Sequence, residues 1–385
     1  MRNILIINPR AIYFCESRAT SIDLCVRDLV QYSRYASTTT VIGDAVECPF
    51  PGIRFLPRPV TSPDTFVLRA PKLFRMVREL RPDVVCVQEH LRTAAYIAKR
   101  LPVPVVLQKH NAVRAPRQML DRLRTAADYN RLTALIFVSQ SQRSDFRQAW
   151  PNVRAPLLCL TNSIDVSLWT PATSRSQTIL VVGRAVPSKG IKQAALGIAD
   201  ILRRYPDWRA RFILNEVEAD PNYFREISSL VDRMGSQASL SVQWPLAEVK
   251  QAMEQAAIVI VPSIVRETFG RVALEAHAAG LAVISSGAGG LREVSGDAAL
   301  YLPAVEPLHI ANALDQLIAN PAQRNALARK GRARAVEMFD VRNVAAKCDD
   351  IYERLILGSS IEDLNSVSIG ERLLQENQAP FADSH

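Results

Sequence analysis

The chain has 385 residues, 48% of them hydrophobic, and a formal net charge of +9. That much apolar material excludes a disordered chain and suffices for two or three domains. The longest unbroken apolar run, Ala256 to Val261, has 6 residues, against the ~20 a membrane-spanning helix needs.

The first residues, Met1-Arg2-Asn3-Ile4-Leu5-Ile6-Ile7-Asn8, read as a β-strand. Their apolar stretch is shorter than the roughly 7–15 residues of a signal peptide, so a cytoplasmic location is expected. Strands are then predicted at 39–43, 53–56, 83–88, 103–108, 134–138 and 156–160. Amphipathic helices are predicted between them, near 20–34, 66–80, 92–100, 117–127 and 140–149. The polar segment Asp165 to Gln177 reads as a linker. Beyond it the scheme repeats, with strands at 178–183, 210–214, 239–243, 257–261, 282–285 and 299–302. Helices are predicted near 189–204, 221–234, 247–255, 269–279 and 307–318. Such alternation predicts an α/β fold with parallel sheets and crossover helices. The expected division is 1–165, 166–340, and a tail of terminal helices and polar residues at 341–385 that packs back on the first domain.

Charge and glycine divide at the same place. Residues 1–165 carry 24 Lys+Arg and 13 Asp+Glu, a net of +11, whereas 166–385 carry 23 and 25, a net of −2. Of the 15 glycines, 13 lie in the second part. A basic half suits an anionic partner or membrane surface, and a glycine-bearing half lets a ligand approach backbone. The six cysteines show no C-x-x-C spacing, which reads as reduced buried thiols rather than disulfides or a metal site.

In open α/β sheets, ligands bind beyond the carboxyl ends of the strands. After strand 178–183 the sequence runs Gly183-Arg184-Ala185-Val186-Pro187-Ser188-Lys189-Gly190. A guanidinium and an ammonium beside a helix N-terminus suit a diphosphate. The competing reading is two solvated cations and a serine cap. Neither G-x-x-x-x-G-K-[ST] nor G-x-G-x-x-G occurs, which argues against an ATPase and a nicotinamide dehydrogenase.

After strand 257–261 comes Pro262-Ser263-Ile264-Val265-Arg266-Glu267-Thr268-Phe269-Gly270-Arg271-Val272-Ala273-Leu274-Glu275. A helix is expected to begin near Thr268, with Gly270 opening its first turn to a ligand. Its free N–H groups favour a phosphate. Glu275 would then lie about two turns inside, ~10 Å along the axis. That geometry fits a nucleotide-sugar, with its sugar near Glu267 and its ribose diol on Glu275. Glu267 also reads as a favourable charge at a helix start, and Glu275 as an exposed helical residue, although its apolar run Val272 to Ala276 would make it a partly buried carboxylate in need of a partner.

Together these residues resemble the family 4 (group 1) glycosyltransferases. Glu267 and Glu275, with Phe269-Gly270 between them, resemble the E-x7-E signature, and Pro262-Ser263 matches the P-S before it. Gly183-Arg184 with Lys189-Gly190 resembles the G-R…K-G loop. Gly289-Gly290-Leu291-Arg292-Glu293 is similar to G-G-x-x-E, and Asn162-Ser163-Ile164-Asp165 to N-G-V-D. The resemblance implies the GT-B fold, two doubly wound Rossmann-like domains facing a central cleft. It implies a retaining, metal-independent transfer from a nucleoside-diphosphate sugar, with no cofactor.

Carried over residue by residue, the resemblance gives the donor diphosphate to Gly183, Arg184 and Lys189. It gives the sugar to Glu267, with backbone N–H groups from Thr268, Phe269 and Gly270, and the ribose to Glu275. His110 resembles the first-domain histidine that faces the donor sugar, and by its residue type alone reads more readily as structural or incidental. His90 is a further cleft candidate. The family's glycine pair after the first strand is absent; Ser17 to Ser21 stand there, so Ser17, Arg18, Lys109 and Asn111 are acceptor-side candidates.

Arg69, Lys72, Arg75, Arg78 and Arg81 recur along the helix predicted at 66–80, interleaved with apolar residues. A basic amphipathic helix of this kind suits peripheral contact with anionic lipid, or is a solvated face. The expected acceptor is a glycolipid or oligosaccharide in lipopolysaccharide or surface-polysaccharide assembly. A nucleotide-sugar epimerase or a glycosyl phosphorylase on the same fold is the alternative. No nucleic-acid-binding motif accompanies the basic charge.

Overall fold

The computed structural model describes residues 2–115 and 118–360. The terminal helix expected around Ile361 to Leu364 lies outside the described residues. Two parallel sheets with helices on both faces form the two domains.

The first sheet has seven strands: β1 (Ile4–Ile7), β2 (Thr39–Gly43), β3 (Arg54–Pro57), β4 (Val84–Gln88), β5 (Val105–Lys109), β6 (Ala134–Phe137) and β7 (Leu157–Cys159). Their order is β3-β2-β1-β4-β5-β6-β7. β1 lies at the point where the order reverses, with Ile4 in register with Thr39 on one side and Val84 on the other. The central strands are buried on both faces, which is why they read as unbroken apolar runs. One face packs α1 (Ser21–Tyr32); the other packs α2 (Phe66–Glu79), α3 (Leu91–Ala98), α4 (Met119–Tyr129) and α5 (Gln140–Ala149).

The second sheet has six strands: β8 (Thr178–Arg184), β9 (Arg209–Asn215), β10 (Ala238–Val242), β11 (Ile258–Val261), β12 (Ala282–Ser285) and β13 (Ala299–Tyr301). Their order, β10-β9-β8-β11-β12-β13, puts the reversal between β8 and β11. α6 (Ile191–Arg204), α7 (Pro221–Asp232) and α11 (Pro307–Ala319) cover one face. α8 (Leu246–Gln255), α9 (Arg271–Ala279), α10 (Gly290–Ser295) and α12 (Pro321–Phe339) cover the other.

The chain crosses between domains twice, and the crossings touch. The Ile164 N–H donates to the Phe339 carbonyl (2.9 Å) and the Val341 N–H donates to the Ile164 carbonyl (3.0 Å). Beyond the second crossing, α13 (Val341–Leu357) packs on α1 and β4. It adds Val344, Cys348, Ile351, Tyr352 and Leu355 to the first domain's core.

Three local expectations change. The helix expected from Thr268 starts at Arg271, because Gly270 caps it with φ +114°. Glu275 is therefore one turn inside rather than two. α10 and α12 are helices that apolar periodicity did not reveal; α12 buries only Gly331, Ala335 and Phe339. The cysteines are free, but Cys48 is exposed and Cys159 only half-buried.

Candidate functional site

The loops that follow β8 and β11 meet at the second domain's reversal point. Gly190 has φ +67°, and a Cβ there would sit 2.1 Å from the Pro262 carbonyl oxygen. The Ile264 N–H donates to the Ser188 carbonyl (2.9 Å), tying the loops together. Gly183 differs: a Cβ there meets nothing within 4 Å, so the strand end faces open space.

Glu267 is the junction of this region. Its carboxylate takes the Lys189 ammonium and the Ser263 hydroxyl. Its backbone bridges Gly289: the Glu267 N–H donates to Ala288 (3.2 Å) and its carbonyl accepts from Gly290 (2.8 Å). Side chains at Gly289 or Gly290 would collide with Glu267, Thr268 and Phe269 backbone at 2.5–2.7 Å. The glycine pair therefore lets a third loop close on the first two. Phe269 is buried against Phe339, ring centroids 5.7 Å apart, so only its backbone belongs to the site. Thr268 is half-buried beside it. The first N–H groups of α9 lack intrahelical partners and carry partial positive charge.

Two expected ligand groups are engaged within the protein. The Arg184 guanidinium lies 3.4 Å from Glu216, and both are about half exposed. Such a surface pair is weak and exchangeable. Glu275 is buried and accepts from Arg271 at 3.2 Å. Burial raises its pKa, and the Arg271 guanidinium opposes that. Arg271 also reaches Cys25 of α1, Nη1 to Sγ 3.3 Å, across the cleft.

On the facing wall, His110 follows β5 and is 9% exposed. Its Nε2 is 2.8 Å from the Gln88 Oε1, and Gln88 in turn donates to the Gln108 side chain (3.3 Å). That chain of bonds assigns the Nε2 proton and leaves Nδ1 as an acceptor. Burial lowers the His110 pKa to about 4, with Glu89 opposing the shift and the Lys109 and Arg271 charges adding to it. The ring is neutral at neutral pH and serves as a hydrogen-bonding group rather than an acid.

Glu89, unmarked in the sequence, organises that wall. It has φ +63°, and its carboxylate accepts from the His110 and Asn111 N–H groups and pairs with Lys109. Lys109 is thereby tied down, while Asn111 is exposed. Ser17 and Arg18 lie on an exposed 3-10 turn, where the Arg18 guanidinium stacks 3.6 Å from the Tyr13 ring centroid. They do not join His110's cluster. His90 caps α3, its Nδ1 accepting from the Thr93 N–H at 3.3 Å.

Further contacts cross between the domains. Glu293, which the sequence places in a motif without a role, accepts from the Gln140 N–H (2.7 Å) and the Ser141 N–H. It thus caps α5 from the other domain. Arg266 donates to the Ser141 hydroxyl (2.7 Å) and pairs with Asp145 (3.1 Å).

Two doubly wound domains facing across a cleft define the GT-B class. Residues 170–334 match the family model described as glycosyl transferases group 1, and residues 37–168 match glycosyltransferase family 4. The chain belongs to the group 1, family 4 glycosyltransferases. It is similar to the alpha-maltose-1-phosphate synthase of Mycolicibacterium smegmatis, 27% identical over 251 residues, 58% of this chain and 63% of that protein. It is also similar to the D-inositol 3-phosphate glycosyltransferase of Corynebacterium urealyticum, 26% identical over 243 residues, 57% and 56% of the two chains. The match thus spans less than two thirds of either relative. Anabaena HepE, solved with UDP and glucose, shares the fold at TM-score 0.75 and 18% identity, over 91% of this chain and 100% of that one. Among the described residues, no helix is long and apolar enough to cross a membrane.

Proposed function

We propose that the chain moves a sugar from a nucleoside-diphosphate sugar to an acceptor hydroxyl, with retention and without a metal. One observation carries this reading: Lys189, Glu267 and the N-terminus of α9 converge where three glycine-tightened loops meet. As the anomeric centre becomes oxocarbenium-like, negative charge grows on the leaving diphosphate. Lys189, Arg184 and the α9 N–H groups supply fixed positive charge there. Glu267 holds Lys189 in place and faces the sugar hydroxyls. The neutral imidazole of His110 meets the sugar from the opposite wall. Glu275 receives the ribose by exchanging part of its bond with Arg271. Closure of the cleft assembles both walls around the donor.

In this reading the acceptor is a glycolipid or oligosaccharide of surface-polysaccharide type, such as lipopolysaccharide, met at the cytoplasmic membrane face. Lys72, Arg75 and Arg78 of α2 are exposed near Val67 and Leu68, and α4 exposes Met119, Leu120 and Leu123. Basic and apolar groups side by side suit an anionic lipid surface. Arg69 leaves that face: its side chain is 11% exposed and turns to Asp64.

The test is thermal melting against UDP-, GDP-, ADP- and TDP-sugars, since a donor stabilises the folded state by mass action. One of them should raise the melting temperature, and Lys189→Ala should abolish the rise. No stabilisation by any of them would refute the donor reading. Release of an epimerised free sugar, or dependence on inorganic phosphate, would instead favour the epimerase or the phosphorylase.

A further inference from the structure

We propose that the N-terminal end of α5 is the common seat of the two walls, and that Gln142, Glu293 and Arg266 are positioning residues which set His110 opposite Glu267. This rests on the reading above only in taking Glu267 and Lys189 as the donor centre. The three residues act through the loops they hold.

Ser139 caps α5, its hydroxyl accepting from the Gln142 N–H (3.0 Å). The N–H groups of Gln140 and Ser141 go instead to the Glu293 carboxylate, 153 and 152 positions away. Helix starts are ordinarily satisfied by their own cap residue; here the second domain completes the cap. Burial raises the Glu293 pKa, while those N–H groups and then the Arg143 and Arg266 charges oppose the shift. Pulling this carboxylate away would leave buried polar groups unpaired on both sides, a costly separation.

Backbone ties Glu293 to the donor centre. It stands in α10, which opens at Gly290. The Gly290 N–H donates to the Glu267 carbonyl, and the Glu267 N–H to the Ala288 carbonyl. Arg334 of α12 backs α10, donating to the carbonyls of Glu293 (2.7 Å) and Val294 (2.9 Å). A shift of Glu293 is therefore passed to Glu267 rather than absorbed within α10. Arg266, the residue before Glu267, reaches α5 by a second route, at Ser141 and Asp145. That ion pair is exposed, so it directs the loop more than it stabilises it.

The same end of α5 holds the other wall. Gln142 is buried; its Oε1 accepts from the Val138 N–H (3.0 Å) and its Nε2 donates to the Asn111 carbonyl (2.7 Å). Asn111 follows His110, and Glu89 binds both their N–H groups. Helical turns lie ~5.4 Å apart, and residues 140–142 fall within one turn. The His110 loop and the Glu267 loop are thus seated side by side on one rigid element.

The test is hydrogen exchange on the full chain, read by mass spectrometry with and without UDP. The amides of Ile264, Glu267 and Gly290 report one wall, and that of Asn111 the other. Without ligand, Glu293→Ala should speed exchange at Glu267 and Gly290 about fivefold, the factor that loss of one helix cap gives. UDP should slow exchange at Asn111 in wild type. Glu293→Ala should abolish that slowing while UDP still binds, and Gln142→Met should do the same. Arg266→Asp and Asp145→Arg should each loosen the Glu267 loop about twofold, as an exposed pair allows, and the double variant should restore it. Both positions are exposed, so these variants decide the matter if Glu293→Ala lowers the melting temperature. Loosening confined to α5 and α10 would make Glu293 a structural cap alone and overturn the proposal. Charge reversals without effect at Glu267, or without rescue in the double variant, would overturn it as well. Should no protein bind UDP, the donor reading falls, and the ligand-free comparison still decides the seat.

Discussion

The two walls of the cleft are built by different means. On the second domain, loops are fixed by backbone pressed on backbone: Gly190 on Pro262, Gly289 on Glu267 and Gly290 on Phe269. On the first domain, loops are fixed by charge: Glu89 holds the turn of His110, Asp44 holds Arg58, and Asp64 holds Arg10 and Arg69. Backbone contact leaves no room for side-chain change. Ion pairs can be redrawn by substitution without moving the chain.

The sharpest way to break this contrast is at Lys189 and Glu267. Lys189→Ala and Glu267→Ala should each cut turnover by about 10²-fold or more, the usual cost of a lost group at a developing charge. Circular dichroism should show the fold retained; normal turnover in both would refute the site. Next come the glycines. Gly190→Ala should lower stability by about 2–3 kcal/mol in denaturant unfolding, because its Cβ collides and its φ is positive. Gly183→Ala should leave stability within about 0.5 kcal/mol, as nothing crowds it. A donor lying over that strand end would show as weakened nucleotide binding in Gly183→Ala alone. On the charged wall, Glu89→Gln should reduce turnover about tenfold by loosening the His110 loop, with a stability loss of about 1–3 kcal/mol.

The smallest effect is the acid response. His110 has its pKa depressed from 6.5 to about 4, so the unfolded chain binds its proton first as pH falls. Its contribution to stability is complete above about pH 6.5 and is lost as pH falls toward about 4. His110→Gln should therefore flatten the melting-temperature decline between pH 7 and 5 relative to wild type. An equal decline in both would show that the imidazole is not buried neutral. His277, lowered to about 3 by burial and Arg334, remains in the variant and keeps part of the slope.

The sequence displayed the strands well, because parallel strands buried on both faces are short apolar runs bounded by turns. Lys189 and Glu267 were legible because they stand at strand-to-helix turns. What escaped was whatever depends on contact between distant residues. Glu89 looks like any carboxylate until its positive-φ turn brings it under His110, 21 residues on. Arg271 is one more position in the helix expected from Thr268, and its partner Cys25 is 246 residues away. α12 hid because its helix buries few residues and no single apolar stripe marks it. Arg69 fitted the helical rhythm of the basic face, yet an aspartate five residues upstream draws it inward.

The touching crossings at Ile164 and Phe339–Val341 also bear on the order of assembly. The first domain's core includes α13, so it lacks six buried side chains until residues near 355 have been made. Among the described residues, the second domain has every strand and covering helix by Phe339. During synthesis, which proceeds from the N-terminus, the domain encoded first is thus the last to close. Until then the wall that carries His110 and Glu89 waits for α13, while the wall that carries Lys189 and Glu267 already has its strands and helices.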